Sequence, residues 1–218
     1  MNTSNFKNRL YGRTRGRSKK KINIKNYFTK LDQFKLNNFE NNKNYILDIG
    51  TGNGETSIYL SKLYKHSTII ACDKYIDGNL NLLKQIENFK LKNILIHHGN
   101  VYEILEKNKN IYFDKVWIFF PDPWPKKKHY KRRLINKNFF TVLHDKLKDN
   151  GEICIVTDSN SYFKYILKAI YESKNLFHWK NQNKLYLSLK DYYDLETKYY
   201  KKAIISSRIP SLLILKKI

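Results

Sequence analysis

LDIGTGNG, residues Leu47–Gly54, closes a short apolar strand predicted over Tyr45–Ile49 and opens a helical stretch over Thr56–Tyr64. A strand that runs into closely spaced glycines and then into a helix reads as the start of a βαβ unit. Outward from this turn the alternation repeats. Thr68–Cys72 reads as a strand ending at Asp73, and Leu80–Phe89 as a helix with Leu80, Leu83 and Ile86 on one face. Ile94–His97 is a strand and Val101–Leu105 a short helical turn. Lys115–Phe120 is a continuous apolar strand, Asn138–Lys148 an amphipathic helix, Glu152–Thr157 a strand and Tyr162–Tyr171 a helix. Short strands alternating with helices of about ten residues predict an α/β fold with a doubly wound, mostly parallel sheet. After Ser173 the pattern changes. Leu185–Leu189 and Ser211–Lys216 read as strands with no full helix between them, which predicts an antiparallel C-terminal edge. Residues 41–218 form the expected domain, and residues 1–40 a basic, partly mobile arm ahead of it.

Of the 218 residues, 42 are Lys or Arg and 19 are Asp or Glu, a net charge of +23. Lys, Asn, Ile and Tyr are abundant, so part of that excess reads as compositional drift. Its placement is uneven. Residues 1–31 hold ten basic residues and no acid, and KKKHYKRR (Lys126–Arg133) holds six and no acid. The other 179 residues hold 26 basic and 19 acidic side chains, an excess of only +7. Two concentrated cationic blocks point to a polyanion. Two cysteines, Cys72 and Cys154, exclude a disulfide framework and a four-cysteine zinc site. His97, His98 and Cys72 lack metal-ligand spacing, so no metal is expected. No apolar run approaches the ~20 residues that span a membrane. No secretory signal is evident at the N-terminus, and the expected setting is cytoplasmic.

The glycine turn lies where ligands bind in doubly wound folds, beyond the carboxyl ends of the strands. Gly50 and Gly52 allow close approach of a ligand. Asp73, at the end of the next strand, suits the hydroxyls of a ribose. An ordinary glycine-rich turn is the plain alternative, because a bare glycine match is a weak signal. A dinucleotide site would want G-x-G-x-x-G, with pyrophosphate on the helix N-terminus. Here the spacing is G-x-G-x-G, and Asp48 precedes the first glycine by two. A carboxylate there is unfavourable beside a diphosphate and suits a cationic ligand: the amino group and sulfonium of S-adenosylmethionine. Asn100, after the third strand, reads either as a hydrogen-bonding partner for adenine or as a turn residue after Gly99.

FFPDPWPKKKHYKRR (Phe119–Arg133) is the second concentration of special residues. Pro121, Pro123 and Pro125 stop the strand and hold Asp122 and Trp124 in a stiff extended loop. That loop follows the fourth strand, opposite the glycine turn, so Asp122 faces whatever approaches the cofactor's reactive group. Trp124 offers a stacking surface, and the basic block lies where phosphates would be. A rigid surface turn followed by a solvated helix start is the plain alternative.

In these motifs the chain resembles the bacterial tRNA (guanine-N7-)-methyltransferase family, Rossmann-like enzymes that use S-adenosylmethionine. The resemblance runs from RLYGRTRGR (Arg9–Arg17) to the C-terminal strands. Its most specific element is FFPDPWPKKKHYKRRL (Phe119–Leu134), supported by LDIGTGNGE, ACDKY and VTDSNSY. It implies that Asp48, Asp73, Asn100 and Asp122 bind the cofactor and that Asp122 is also the active-site residue. It implies substrate contacts at Lys126 and Asp158. Thr197, Lys198, Tyr199 and Tyr200 align with a substrate-contacting Thr-Lys-Phe-Glu segment, from which Tyr200 departs. Asn100 stands where relatives often carry Asp.

The resemblance also implies a tRNA partner and a variable-loop guanine as target, with a monomer or homodimer expected and no obligate protein partner. Guanine N7 has a lone pair and no proton to lose, so alignment rather than a strong base drives the transfer. Asp122, with Asp158, is expected to accept from the N1–H and N2–H₂ edge of the base. Three other readings remain open from the residues. An amino-group methyltransferase carries an Asp/Asn-Pro-Pro-aromatic motif at this strand end, but here the second proline follows the aromatic. A non-catalytic RNA-binding protein on the same fold, and a dehydrogenase, complete the set.

Overall fold

The computed structural model describes residues 14, 24–35, 39–40, 43–107, 111–181 and 184–218. Most of the N-terminal basic block, including RLYGRTRGR, lies outside the described residues apart from Thr14. The chain runs α1 (Ile24–Asp32), β1 (Asn44–Ile49), α2 (Glu55–Leu63), β2 (Ser67–Cys72), α3 (Ile76–Phe89), β3 (Ile94–His97), α4 (Val101–Lys107) and β4 (Phe113–Phe119). It continues through a 3₁₀ turn (Lys127–Arg132), α5 (Lys137–His144), β5 (Leu147–Thr157), α6 (Asn160–Glu172) and β6 (Phe177–Trp179). It ends with β7 (Leu187–Ser188), α7 (Leu189–Tyr192), α8 (Lys198–Ile205) and β8 (Ser211–Lys217).

Eight strands make one sheet in the order β3-β2-β1-β4-β5-β8-β6, with β7 also on β8. β1 to β5 are mutually parallel, and β8 runs antiparallel to β5, β6 and β7. The doubly wound reading and its antiparallel edge are therefore observed. β1 pairs with β2 on one side and β4 on the other, with Asp48 opposite Trp117 and Ile49 opposite Ile118. Strand order reverses at this pair, which opens a crevice between the loops that follow β1 and β4.

Each face of the sheet buries its own core. Val116, Ile118, Phe139, Phe140 and Tyr162 lie on one side; Trp117, Ile46, Leu60 and Leu82 lie on the other. The near-continuous apolar strands are those of a sheet covered on both faces. Part of the expected arm joins this packing. Tyr27 and Leu31 of α1 are buried in the second core, and Ile96 N–H donates to Phe34 C=O at 2.8 Å.

Four expected elements are corrected. The helix expected over 138–148 stops at His144, because Phe113 N–H bonds Lys146 C=O and Leu147 pairs with Phe113 in β5. α3 starts at Ile76, four residues before the periodic apolar face. The strand expected over Leu185–Leu189 shrinks to Leu187–Ser188 and turns into α7. A full helix, α8, does precede β8, capped by Thr197, whose side-chain oxygen accepts from Tyr200 N–H at 3.1 Å.

Candidate active site

The glycine turn adopts the conformation that its composition requires. Gly50, Gly52 and Gly54 have φ of +78°, +58° and +88°. Gly50 N–H donates to Cys72 C=O at 2.9 Å, which ties the turn to the end of β2. α3 packs directly against it: a Cβ on Gly78 would lie 1.9 Å from Gly52 C=O. Gly78 carried no signal in the sequence, since its constraint comes from a neighbour 26 positions away.

Two carboxylates face this turn. Asp48 is 1% exposed and accepts from the Ser57 hydroxyl at 2.6 Å. Burial pushes its carboxyl up to about 7, against the Ser57 bond and with the help of nearby Asp73. No ion pair to Asp48 exists among the described residues. A desolvated carboxylate without a cation suits the cationic ligand anticipated there. Asp73 accepts from Gly52 N–H at 2.8 Å and from Tyr75 N–H at 3.0 Å. Burial raises its pKa, opposed by these backbone donors and by Lys74. Asn100 sits at the start of α4, where its side-chain oxygen accepts from Tyr102 N–H at 3.1 Å. This supports the turn-residue reading, while leaving Asn100 beside the ends of β2 and β3.

Contrary to the expectation from its prolines, the proline loop is not extended throughout: the chain turns left-handed on both sides of its acid and is strained there. Phe120 and Trp124 have φ of +49° and +42°, a region that bulky residues rarely enter. Such strain clusters at functional sites. Asp122 between them is exposed. The Arg132 guanidinium lies 4.9 Å from the centre of the Trp124 ring, and His129 meets that ring edge-on at 5.7 Å. Trp124 is thus partly covered. Lys126, Lys127, Lys128 and Lys131 are exposed, but Arg133 is 3% exposed. The block expected to face phosphates therefore contains one inward arginine.

α8 closes the crevice. Tyr199 is 54% exposed and stacks on Phe120 with centroids 6.2 Å apart at 25°. Its ring edge also lies 4.0 Å from where a Gly52 Cβ would stand, so it touches both loops. Lys198 N–H donates to Glu55 at 2.8 Å, anchoring α8 to the first residue of α2. Thr197 is buried as the helix cap, and Tyr200 is half-buried against the second core. Of the aligned segment, Lys198 and Tyr199 are exposed. Asp158, after β5, is ion-paired with Arg208 at 2.7 Å. Glu55, Ser57, Gly78 and Arg208 touch the candidate residues and were not singled out in the sequence. Glu55 stood inside LDIGTGNGE, whereas Ser57 and Arg208 had no local signal.

A family model described as "Putative methyltransferase" matches residues 42–208. The tRNA (guanine-N(7)-)-methyltransferase of Neorickettsia sennetsu is 35% identical over 167 residues, covering 75% of each chain. The chain belongs to the tRNA (guanine-N7-)-methyltransferase family. Members of the family also occur within longer proteins. The "Bifunctional methyltransferase" of Rickettsia conorii is 34% identical over 212 residues, 96% of this chain and 40% of that protein. That of Rickettsia felis is 38% identical over 78% of this chain and 32% of its own length. The chain thus spans about a third to two-fifths of these bifunctional relatives. The fold is shared more widely. An rRNA methylase from Streptococcus thermophilus superposes with a TM-score of 0.54 at 11% identity, covering 92% of this chain and 99% of that one. A precorrin-6y C5,15-methyltransferase from Geobacter metallireducens gives 0.54 at 15%, covering 91% of each.

Proposed function

We propose that this chain transfers the methyl group of S-adenosylmethionine to N7 of a variable-loop guanine in tRNA. The observation that carries it is the pairing of β1 with β4, which sets the Asp48–Asp73 glycine turn against the strained Asp122 loop and its exposed lysines. When bound, the cofactor supplies an electrophilic methyl on a sulfonium. Asp48 offers a desolvated carboxylate to its cationic end, and Asp73 and Gly52 hold the ribose side. Asp122 accepts from the Watson–Crick edge of guanine, orients N7 and stabilises the positive charge that develops on the base. Asp158 joins it once Arg208 is displaced. The base leaves its stack at a cost of a few kcal/mol. Tyr199, with an exposed face beside both loops, offsets part of this by stacking. Lys126, Lys127, Lys128 and Arg132 lie where tRNA phosphates approach. A cytoplasmic setting goes with that substrate.

The direct test is unmodified tRNA incubated with methyl-labelled cofactor, followed by strand scission at N7-methylguanine. Cleavage at one variable-loop guanine is expected. Methyl incorporation without cleavage would overturn the N7 assignment in favour of an amino group.

Two predictions arise here. Neutralising Lys127, Lys128 and Arg132 together should weaken tRNA binding and flatten its salt dependence. Each lost phosphate contact lowers the log–log slope by roughly 0.7–0.9. An unchanged slope in a filter-binding titration returns the block to solvated surface.

The second concerns pH. Only the ionised Asp48 attracts a cation, so cofactor affinity should fall about tenfold per pH unit below about 7 and level off above it. Stability of the ligand-free protein runs the other way. The folded carboxyl holds a proton that the unfolded chain releases near about 3.9, so its contribution is full below that value and is lost as pH rises through about 7. Calorimetric titrations from pH 5.5 to 8.5 check the first part, and Asp48→Asn should abolish the pH dependence.

A further inference from the structure

Arg133 is unlike the other cations of its block. Its guanidinium is buried and bonds the Asp122 loop and the first turn of α6 at once. Nε donates to Pro123 C=O at 2.8 Å, while the terminal nitrogens donate to Ser161 C=O at 3.3 Å and Ser161 Oγ at 3.2 Å. Three tyrosine rings surround it, Tyr130 at 3.7 Å and Tyr162 and Tyr165 each at 4.9 Å. Carbonyl oxygens and ring faces thus replace the water that a buried cation loses. Tyr162 is itself fixed, its hydroxyl accepting from Ile135 N–H at 3.0 Å.

The two anchors are informative. Pro123 follows Asp122 directly, in the loop held at unfavourable φ at Phe120 and Trp124. Strained residues of this kind persist only where the surroundings over-determine them. Ser161 lies in the first turn of α6, three residues after Asp158. One planar fork therefore spans the ends of β4 and β5, and these carry the two acids assigned to the guanine edge. Lysine, a point charge on a flexible stem, cannot make this set of directed bonds.

We infer that Arg133 is a positioning residue for methyl transfer. It holds the Asp122 loop at a fixed distance from the Asp158 turn and makes no contact with tRNA. The inference rests on the proposed function for what the two acids do, and on the geometry alone for the clasp.

The test is Arg133→Lys, which keeps the charge and removes the fork. The turnover number for tRNA methylation should fall on the order of a hundredfold, as expected for misplacement by about 1 Å. The KM for tRNA and the salt slope of tRNA binding should stay unchanged, the reverse of the Lys127/Lys128/Arg132 pattern. A second readout needs no activity. The chain has three tryptophans, so 5-fluorotryptophan labelling gives three ¹⁹F signals. Arg133→Lys should move or broaden Trp124 and leave core Trp117 in place. Normal turnover, an unmoved Trp124 signal, or a salt slope reduced by a full phosphate contact would each overturn the proposal. If Trp117 also moves, the fold has been disturbed, and Ser161→Ala decides instead. It removes one bond of the fork and should move Trp124 and lower turnover several-fold; no change in either overturns the proposal. If the wild-type chain makes no N7-methylguanine, the functional reading fails, while the Trp124 signal still decides the clasp.

Discussion

Asp122→Ala should lower methyl transfer to tRNA roughly 100- to 1,000-fold, the usual consequence of removing one preorganised group from a developing charge. Asp122 is exposed and lies between Pro121 and Pro123, in a loop whose shape is set by the prolines, by Phe120 N–H bonding Val156 C=O at 2.8 Å and by Arg133. Truncating an exposed surface side chain usually changes stability by no more than about 0.5 kcal/mol, so the melting midpoint should move little. tRNA affinity should hold too, because the exposed lysines proposed to meet phosphates are separate side chains. Asp122→Asn keeps one acceptor oxygen and the loop's shape while removing the charge. A loss close to that of alanine identifies stabilisation of the cationic base as the larger contribution; a mild loss identifies orientation. Normal turnover by the alanine variant, measured in single-turnover assays with saturating tRNA, removes Asp122 from the active site.

Much of this site was legible because glycine and proline carry positional meaning. Three glycines within five residues forecast a tight turn open to a ligand, and the structure gives Gly50, Gly52 and Gly54 positive φ. The proline cluster forecast an abrupt strand end with a held acid. The strain at Phe120 and Trp124 was hidden, since neither residue type signals it. The alternation of strands and helices forecast the parallel sheet, and the reversal between β1 and β4 then places both loops at one crevice.

What failed to show has a common cause: it is set by distant neighbours. Nothing in KKKHYKRR separates Arg133 from Arg132, because Tyr162 and Tyr165 on α6 and the Pro123 carbonyl, which together with the local Tyr130 bury it, lie outside that string. Leu147 continues the helical spacing of Leu143 yet joins β5, since pairing with Phe113 outweighs a weak local preference. From the residues alone Asn100 read better as a turn residue than as an adenine partner, and its side-chain oxygen does accept from Tyr102 N–H at 3.1 Å. α8 was legible in principle: Thr197 before KYYKKAII is an N-cap signal that the tyrosines obscured.

Gly78→Ala should destabilise the protein and remove cofactor binding together, because one atom disturbs both. An alanine Cβ at this position would lie 1.9 Å from Gly52 C=O, 2.8 Å from the Gly52 carbonyl carbon and 2.6 Å from the Tyr75 ring. A tyrosine ring can swing aside, but the Gly52 backbone has nowhere to retreat. It is held by Asp73 through its N–H at 2.8 Å and is already at φ +58°. Either α3 moves off the sheet or the glycine turn moves off Asp73. Overpacking of this kind costs about 1–3 kcal/mol, and for a chain of this size each kcal/mol lowers the melting midpoint by about 2–4 °C. The displaced turn also releases the Asp73 carboxylate from its binding geometry. Saturating S-adenosylmethionine should therefore raise the melting midpoint of the wild type and leave that of Gly78→Ala unmoved, since a ligand stabilises only the state that binds it. Gly99→Ala is the internal contrast. Its Cβ would meet the ends of the Glu103 and His97 side chains at 2.6 and 2.7 Å, both able to rotate away, so it should retain the ligand-induced shift. An undiminished shift in Gly78→Ala would mean that α3 yields instead of the turn, and that the packing of α3 against Gly52 does not shape the cofactor site.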